Sequence, residues 1–433
     1  MQHRIELLPN TSPPFQRPYR TSRAEEEILD TIIEEMLDAD ILDRSCSPYS
    51  SPYLLVKKKN GTWRLDHNFI RLNQVTKNDR FPLPRIDDLL DHLLKKKYFS
   101  TFDLFSGFYQ LELHAEDREK TSFLTRQGSF QFKRMPMGIC NAPSSFQRLM
   151  NMALGNLISP SCLCYMDDVC VFGQTFGEHM ENLDKVFKAV RAANLRFQLS
   201  KCSLGYTTVK FLGVVITPDG LKPDPDKIRT LTDMPNPKTI KEVRSFLGLA
   251  SFYRRFIRDF ASIAVPLYNL THIDQQFAWT EGAQTAKETL IRALTTAPIL
   301  VIFNPEKPVF LHCDASRLGL GCVMSHSPKS DSEVVGYFSR SLNKSEKNYT
   351  ATEIEMLAVL FSVKKTRHYI YQQHFAVVVD HHSLCFLLGK KYTNGRLLRW
   401  QLYLQEYDFT IQYKKGKTHC NADCLHASPY RKP

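Results

Sequence analysis

LCYMDDVCVFG (163–173) sets two short apolar runs on either side of an adjacent acidic pair, Asp167 and Asp168. Runs of that length and composition read as strands, so the two aspartates stand where a buried hairpin turns. Two carboxylates a few ångströms apart destabilise each other unless a cation lies between them. A solvated turn is the competing reading for a lone Asp-Asp pair, and the apolar residues on both sides weaken it. A second stretch, YFSTFDLFSGFYQLEL (98–113), is aromatic and strand-like as far as Asp103 and is then punctuated by Ser106-Gly107. Two-metal phosphoryl or nucleotidyl transfer requires carboxylates from more than one segment, around ions roughly 3.5–4 Å apart. Asp103 is the natural third ligand.

The rest of the chain gives that pair a setting. Its 433 residues suffice for two to four packed units, with 43% hydrophobic and 24% charged residues, an ordinary globular balance. No 18-residue apolar run is present, so membrane insertion is not expected. Lys plus Arg is 57 against 45 for Asp plus Glu, a net +12 that favours a polyanionic partner. The 11 cysteines lie mostly among apolar neighbours (Cys162, Cys164, Cys170, Cys313, Cys322) without a CxxC pair, which reads as reduced thiols. His419, Cys420, Cys424 and His426 resemble a zinc cluster only superficially, because the pattern around them is helical and no upstream pair exists.

Residues 1–20, rich in Pro and Arg, read as an extended arm. Ser22 with Glu25 forms a capping box opening a helix striped by Ile28, Leu29, Ile32, Ile33 and Met36. Asn60-Gly61 between 53–58 and 62–66 marks a hairpin with Lys57, Lys58, Lys59 and Arg64 near its tip. A helix over 178–193, a strand ending at Phe211-Leu212-Gly213 and a proline-rich stretch precede a helical segment, 240–260, that carries Lys241, Arg244, Arg254, Arg255 and Arg258. A helix over 280–295 then leads to strands near 308–314, 319–325 and 334–339, a helix at 346–366, a strand at 375–380 and two later helices. In this last block Asp314 and Asp380 end strands, Glu355 lies on a helix and Asp423 opens a helical turn. These four acids are too far apart in sequence to pair locally, and only folding brings them together.

SPYSSPYLLVKKKNGTWR (47–64), RFPLPRIDDLL (80–90), FSTFDLFSGFYQLELHAEDREKTSF (99–123), FKRMPMGICNAPSSFQRLMN (132–151), YMDD (165–168), FLGVVITPDGLKPDPDKI (211–228) and FLGLASFYRRFIRDFA (246–261) follow one another in order. Together they resemble the polymerase region of a gypsy-type LTR-retrotransposon Pol polyprotein. The acids of the C-terminal block resemble the ribonuclease H domain that follows it. The resemblance implies an α+β and α/β multidomain chain: fingers and palm of a right-hand polymerase over 1–220, thumb and connection over 221–300, and a ribonuclease H-like domain over 301–433. It implies a reverse transcriptase copying an RNA or DNA template from a DNA primer with dNTPs and hydrolysing the RNA of RNA-DNA hybrids. Two Mg²⁺ per site, with Mn²⁺ as an alternative, would be held by Asp103, Asp167 and Asp168 in one site and by Asp314, Glu355, Asp380 and Asp423 in the other.

Carried over in the same way, Lys58 and Arg64 would grip the triphosphate and Phe108 would block a ribose 2′-hydroxyl. Gln147, Tyr165 and Met166 would line the substrate, and Phe211, Leu212 and Gly213 would hold the primer. Glu355 rather than Glu353 is chosen because it directly precedes MLAVLF. Arg254 and Arg255, with Lys241 and Arg244, would bind duplex phosphates, a solvated helix face being the alternative. One departure stands out: Asn68 and Ile70 replace an Asp and an Arg of the family's fingers pattern, so template grip would be lost or rebuilt with Arg71. A decayed or architectural copy, or a nuclease whose polymerase half only binds, are the other classes open to the sequence. A processed or excised piece of Pol, cytoplasmic and enclosed in virus-like particles, as monomer or dimer, is the expectation.

Overall fold

The computed structural model describes residues 1–58, 61–272, 277–381, 384 and 395–414. The chain divides into two units, Met1–Leu212 and Gly213–Pro433. The division falls inside the Phe211-Leu212-Gly213 turn, upstream of the 220/221 boundary expected from the prolines, and the 221–300 stretch clusters with the C-terminal block.

In the first unit a four-stranded antiparallel sheet runs in the order Ser203–Tyr206, Tyr98–Asp103, Asp168–Gly173, Cys162–Tyr165. Its two central strands are apolar because both faces are covered. Phe102, Val169, Val171 and Cys164 pack against Phe146 and Met150 of helix Ala142–Leu154 and Val186 and Val190 of helix Phe176–Ala192. The expected capping box is present, Ser22 and Glu25 opening helix Arg23–Asp38, which buries Leu29, Ile33 and Met36. The hairpin Tyr53–Lys57 with Trp63–His67 is also as expected.

The N-terminal arm departs from its reading. Gln2–His3 pairs in parallel with Glu112–Leu113, Ile5 is wholly buried, and the buried Asp117 takes Ile5 N at 3.1 Å and Arg4 Nε at 2.7 Å. The period-two pattern His3, Ile5, Leu7 is a strand signal that the surrounding Pro and Arg conceal.

His67 lies among Phe69, Phe123 and Phe132, with ring centroids 5.5, 4.5 and 5.0 Å away, and burial pushes its pKa down to about 3. Between pH 6.5 and 3 the unfolded chain therefore binds the proton that the folded chain refuses. The neutral ring's contribution is complete above pH 6.5 and falls by about 1.4 kcal/mol per pH unit below it. Urea unfolding of His67→Phe is expected to show a shallower acid limb than the parent; parallel limbs would contradict this.

In the second unit a five-stranded sheet runs Val334–Ser341, Gly319–Ser325, Phe310–Ala315, Phe375–Val379, Phe409–Tyr413, with the first two pairings antiparallel and the last two parallel. Helix Ala351–Ile370, opened by a Thr350/Glu353 capping box, covers one face through Met356, Val359 and Val363. Two helices were expected after the fourth strand. Among the described residues one is present, Gly395–Leu404; the helical turn expected around Asp423 lies outside the described residues. FTIQY, unassigned from the sequence, forms the fifth strand. The aromatic and β-branched residues at 409, 411 and 413 carry that preference.

The single helix expected over 240–260 also breaks. It ends at Phe252, a 3₁₀ turn follows at Arg254–Phe256, and Asp259 takes a left-handed φ of +53° before a short helix Phe260–Ile263. Tyr253, Phe256 and Phe260 are all buried around the bend, which the spacing i, i+3, i+7 does not by itself announce.

Two candidate active sites

Antiparallel register puts Asp168 directly opposite Asp103, and opposite Tyr165 on its other side. Asp167 occupies the turn between strands, where Met166 adopts φ +53° and Leu104 N donates to the Asp167 carbonyl at 3.3 Å. Three carboxylates thus share one end of the sheet. Burial, then the neighbouring Asp167 and Asp103, push the Asp168 carboxyl up to about 6; burial also raises Asp167. Among the described residues Lys201 answers them, its Nζ lying 3.2 and 3.1 Å from the two oxygens of Asp103. Sequence reasoning missed Lys201, whose partner lies in a distant segment.

Hard carboxylate oxygens whose mutual repulsion is incompletely balanced suit Mg²⁺ or Mn²⁺. Among the described residues no three acidic, His or Cys side chains yet close around a single point, consistent with Asp103 being drawn to Lys201.

The turn is supported from below. Gln147, 1% exposed, accepts from Met166 N at 2.7 Å and donates to Asn151 at 2.9 Å, so both ends of its amide are engaged in holding YMDD. Gly107 was missed: a Cβ there would stand 3.3 Å from both the Asp167 Cβ and the Phe146 ring. Phe108, half-buried beside it, meets Phe146 edge-on at 5.5 Å.

On the fingers hairpin Lys58 is exposed and Arg64 is paired with Asp66 at 2.6 Å. The departures at 68–71 turn out to serve the arm. Asn68 Nδ2 donates to the Tyr19 hydroxyl at 2.9 Å and Arg71 donates to the Phe15 carbonyl at 3.3 Å, while Ile70 is 61% exposed. Phe211 is buried, whereas Leu212 and Gly213 take φ +47° and +78°.

In the second unit Asp314, on strand Phe310–Ala315, faces Glu355 of the covering helix and Asp380 beyond strand Phe375–Val379. Burial followed by Asp380 and Asp314 pushes Glu355 up to about 8; burial, Asp259 and Asp380 push Asp314 up to about 6. Glu353, the other glutamate of TEIE, caps its helix and pairs with Arg396 at 3.1 Å. Asp423 lies outside the described residues. Arg254 and Arg255 each donate to a strand carbonyl, of Ser339 and Val335 respectively. Neither reading of them from the sequence included this, because their partners lie some 80 residues away.

One unit thus carries a sheet ending in three acids together with a basic hairpin, and the other a mixed five-stranded sheet with acids of its own, an arrangement similar to that of a reverse transcriptase followed by a ribonuclease H-like domain. Residues 56–216 match the family reverse transcriptase (RNA-dependent DNA polymerase), and residues 304–407 match the RNase H-like domain found in reverse transcriptase. The chain is 38% identical over 426 residues to the retrovirus-related Pol polyprotein from transposon 297 of Drosophila melanogaster, across 96% of this chain and 40% of that one. It is 34% identical over 435 residues to the corresponding polyprotein from transposon gypsy of the same species, across 96% and 42%. It therefore spans about two fifths of the length of these curated relatives. Among solved structures, the foamy viral protease-reverse transcriptase in complex with double-stranded DNA is 26% identical at TM-score 0.83, covering 94% of this chain and 72% of that one. The same viral protein in complex with an RNA/DNA hybrid is 25% identical at TM-score 0.78, covering 96% and 56%. The chain belongs to the reverse transcriptases with an RNase H-like domain, in the arrangement of gypsy-type Pol.

Proposed function

We propose that this chain is an RNA- and DNA-directed DNA polymerase that also hydrolyses the RNA strand of RNA-DNA hybrids, both by two-metal catalysis, in retroelement replication. The observation that carries the reading is the register of Asp168 against Asp103, with Asp167 in the intervening turn. Asp103, Asp167 and Asp168 would hold the cations of one site, and Asp314, Glu355 and Asp380, with Asp423, those of the other. When bound, Mg²⁺ activates the attacking oxygen and stabilises the leaving one. Lys58 and Arg64 bind the triphosphate as point charge and fork respectively. Gln147 fixes the turn so that the aspartates do not drift. The palm and fingers would occupy 1–220, the thumb and connection 221–300, and the hybrid nuclease 301–433. The complexes of the foamy viral relative support the nucleic-acid partners.

One gel tests this: a labelled DNA primer on a labelled RNA template, with dNTPs and Mg²⁺, should lengthen while the RNA shortens behind it. Cleavage without extension would leave only the nuclease half of the proposal standing. Phe108 supplies a finer test. Its ring, braced by Phe146, would stand where a 2′-hydroxyl must fit, so Phe108→Val should raise incorporation of ribonucleotides relative to dNTPs by roughly 10- to 100-fold. An unchanged ratio in single-nucleotide extension would make Phe108 a packing residue only.

A further inference from the structure

The turn at Arg258 and Asp259 has no part in the chemistry above, yet it sits inside the nuclease cleft. Asp259 occupies the N-cap position of helix Phe260–Ile263 with a left-handed backbone, and its side chain makes no capping bond. The carboxylate instead lies over Gly321, where a Cβ would stand only 2.7 Å from Asp259 Oδ1. Gly321 is the direct cross-strand partner of Asp314, and side chains at such positions share a face about 5 Å apart. The Asp259 carboxylate therefore fills the space that Gly321 leaves beside Asp314. Arg258 accompanies it, Nε 3.7 Å from Asp259 Oδ2, and its charge opposes the rise of the Asp314 carboxyl.

The cavity bounded by Arg258, Asp259, His312, Asp314, Gly321 and Asp380 is about 10 Å³, room for roughly one water. Arg258 and Asp259 thus wall the small space beside Asp314 and Asp380. The turn is anchored from both sides: Arg254 and Arg255 grip the strand carbonyls of Ser339 and Val335, and Ala261 N donates to Ser339 Oγ at 3.0 Å.

We propose that the turn at Arg258 and Asp259 is an internal plug of the ribonuclease H site, an ion pair that must leave the cleft before hybrid and divalent cations can enter. This rests on the ribonuclease reading of that site. The guanidinium supplies the positive charge that the carboxylates otherwise take from cations, and Asp259 presents negative charge to an approaching phosphate. A site open in only a fraction of molecules binds its ligand more weakly by that fraction, so emptying the cleft strengthens binding.

The test uses the full chain in the Asp168→Asn background, with Arg258→Gln and Asp259→Asn made separately. Mn²⁺ titration followed by electron paramagnetic resonance, and RNA cleavage on a preformed hybrid, are measured together with thermal unfolding. Both substitutions should tighten Mn²⁺ binding and raise cleavage at limiting hybrid by about fivefold or more. Weaker Mn²⁺ binding in Asp259→Asn would make Asp259 a ligand, and slower cleavage in Arg258→Gln a substrate contact; either overturns the plug, as does no change in a folded variant. Tighter Mn²⁺ binding with no cleavage by parent or variants would uphold the plug and refute the ribonuclease reading. Neither tightening nor cleavage would refute both.

Discussion

Asp168→Asn should reduce primer extension by about a thousandfold or more and leave cleavage of the RNA strand at its parental rate. Loss of a group that merely supports a metal ligand costs about 10- to 100-fold; Asp168 is placed to be a ligand, and Asn keeps its shape while removing its charge. The substitution also has a signature that misfolding would not produce. Burial and the neighbouring Asp167 hold the Asp168 carboxyl at about 6, above its usual 3.8. The folded chain thus binds more protons than the unfolded one across that window, and the charge of Asp168 opposes folding once the pH rises through it. In divalent-free buffer at pH 8 the variant should accordingly unfold at the same or a higher temperature than the parent. Extension retained within tenfold would remove Asp168 from the polymerase site, and a fall in melting temperature would trace lost activity to lost structure.

Glu355→Gln should do the converse, abolishing RNA cleavage by a comparable factor and sparing extension. Its carboxyl, raised to about 8 by burial and by Asp380 and Asp314, is the most perturbed acid of the second site. Its protonated form is favoured in the folded state, so ionising it between pH 4.5 and 8 costs stability, on the order of a few kcal/mol in the absence of a counter-cation. The difference in unfolding free energy between variant and parent should grow as pH rises through that window and shrink when Mg²⁺ is added. Taking the difference cancels the opposite trend of the buried histidines, whose neutral rings stabilise as pH rises. A difference independent of both pH and Mg²⁺ would place Glu355 outside the site. Should both substitutions abolish both activities, the two-site description fails.

Much of this was legible before folding. The hairpin around Asp167-Asp168, the capping box at Ser22 and the sheet-end position of Asp314 follow from composition and spacing within a few residues. Such features depend on backbone geometry and local hydrogen bonding, which neighbouring residues decide. Where sequence reasoning fell short, the deciding partner was distant. The arm became a strand because Asp117 and Glu112 meet it, and 409–413, unassigned from the sequence, became a strand because Phe375–Val379 offers an open parallel edge.

The sequence by itself determined which acids exist and which local turns and strand ends present them. Only the tertiary structure decided which neighbours each acid keeps. Gln147 faces inward to hold a turn, Lys201 answers Asp103, Arg254 and Arg255 reach strand carbonyls, and Asp259 enters a cleft that a glycine leaves open. The physical reason is that charge and hydrogen-bond partnerships act over a few ångströms in space, and the chain brings such neighbours together from up to about a hundred residues away.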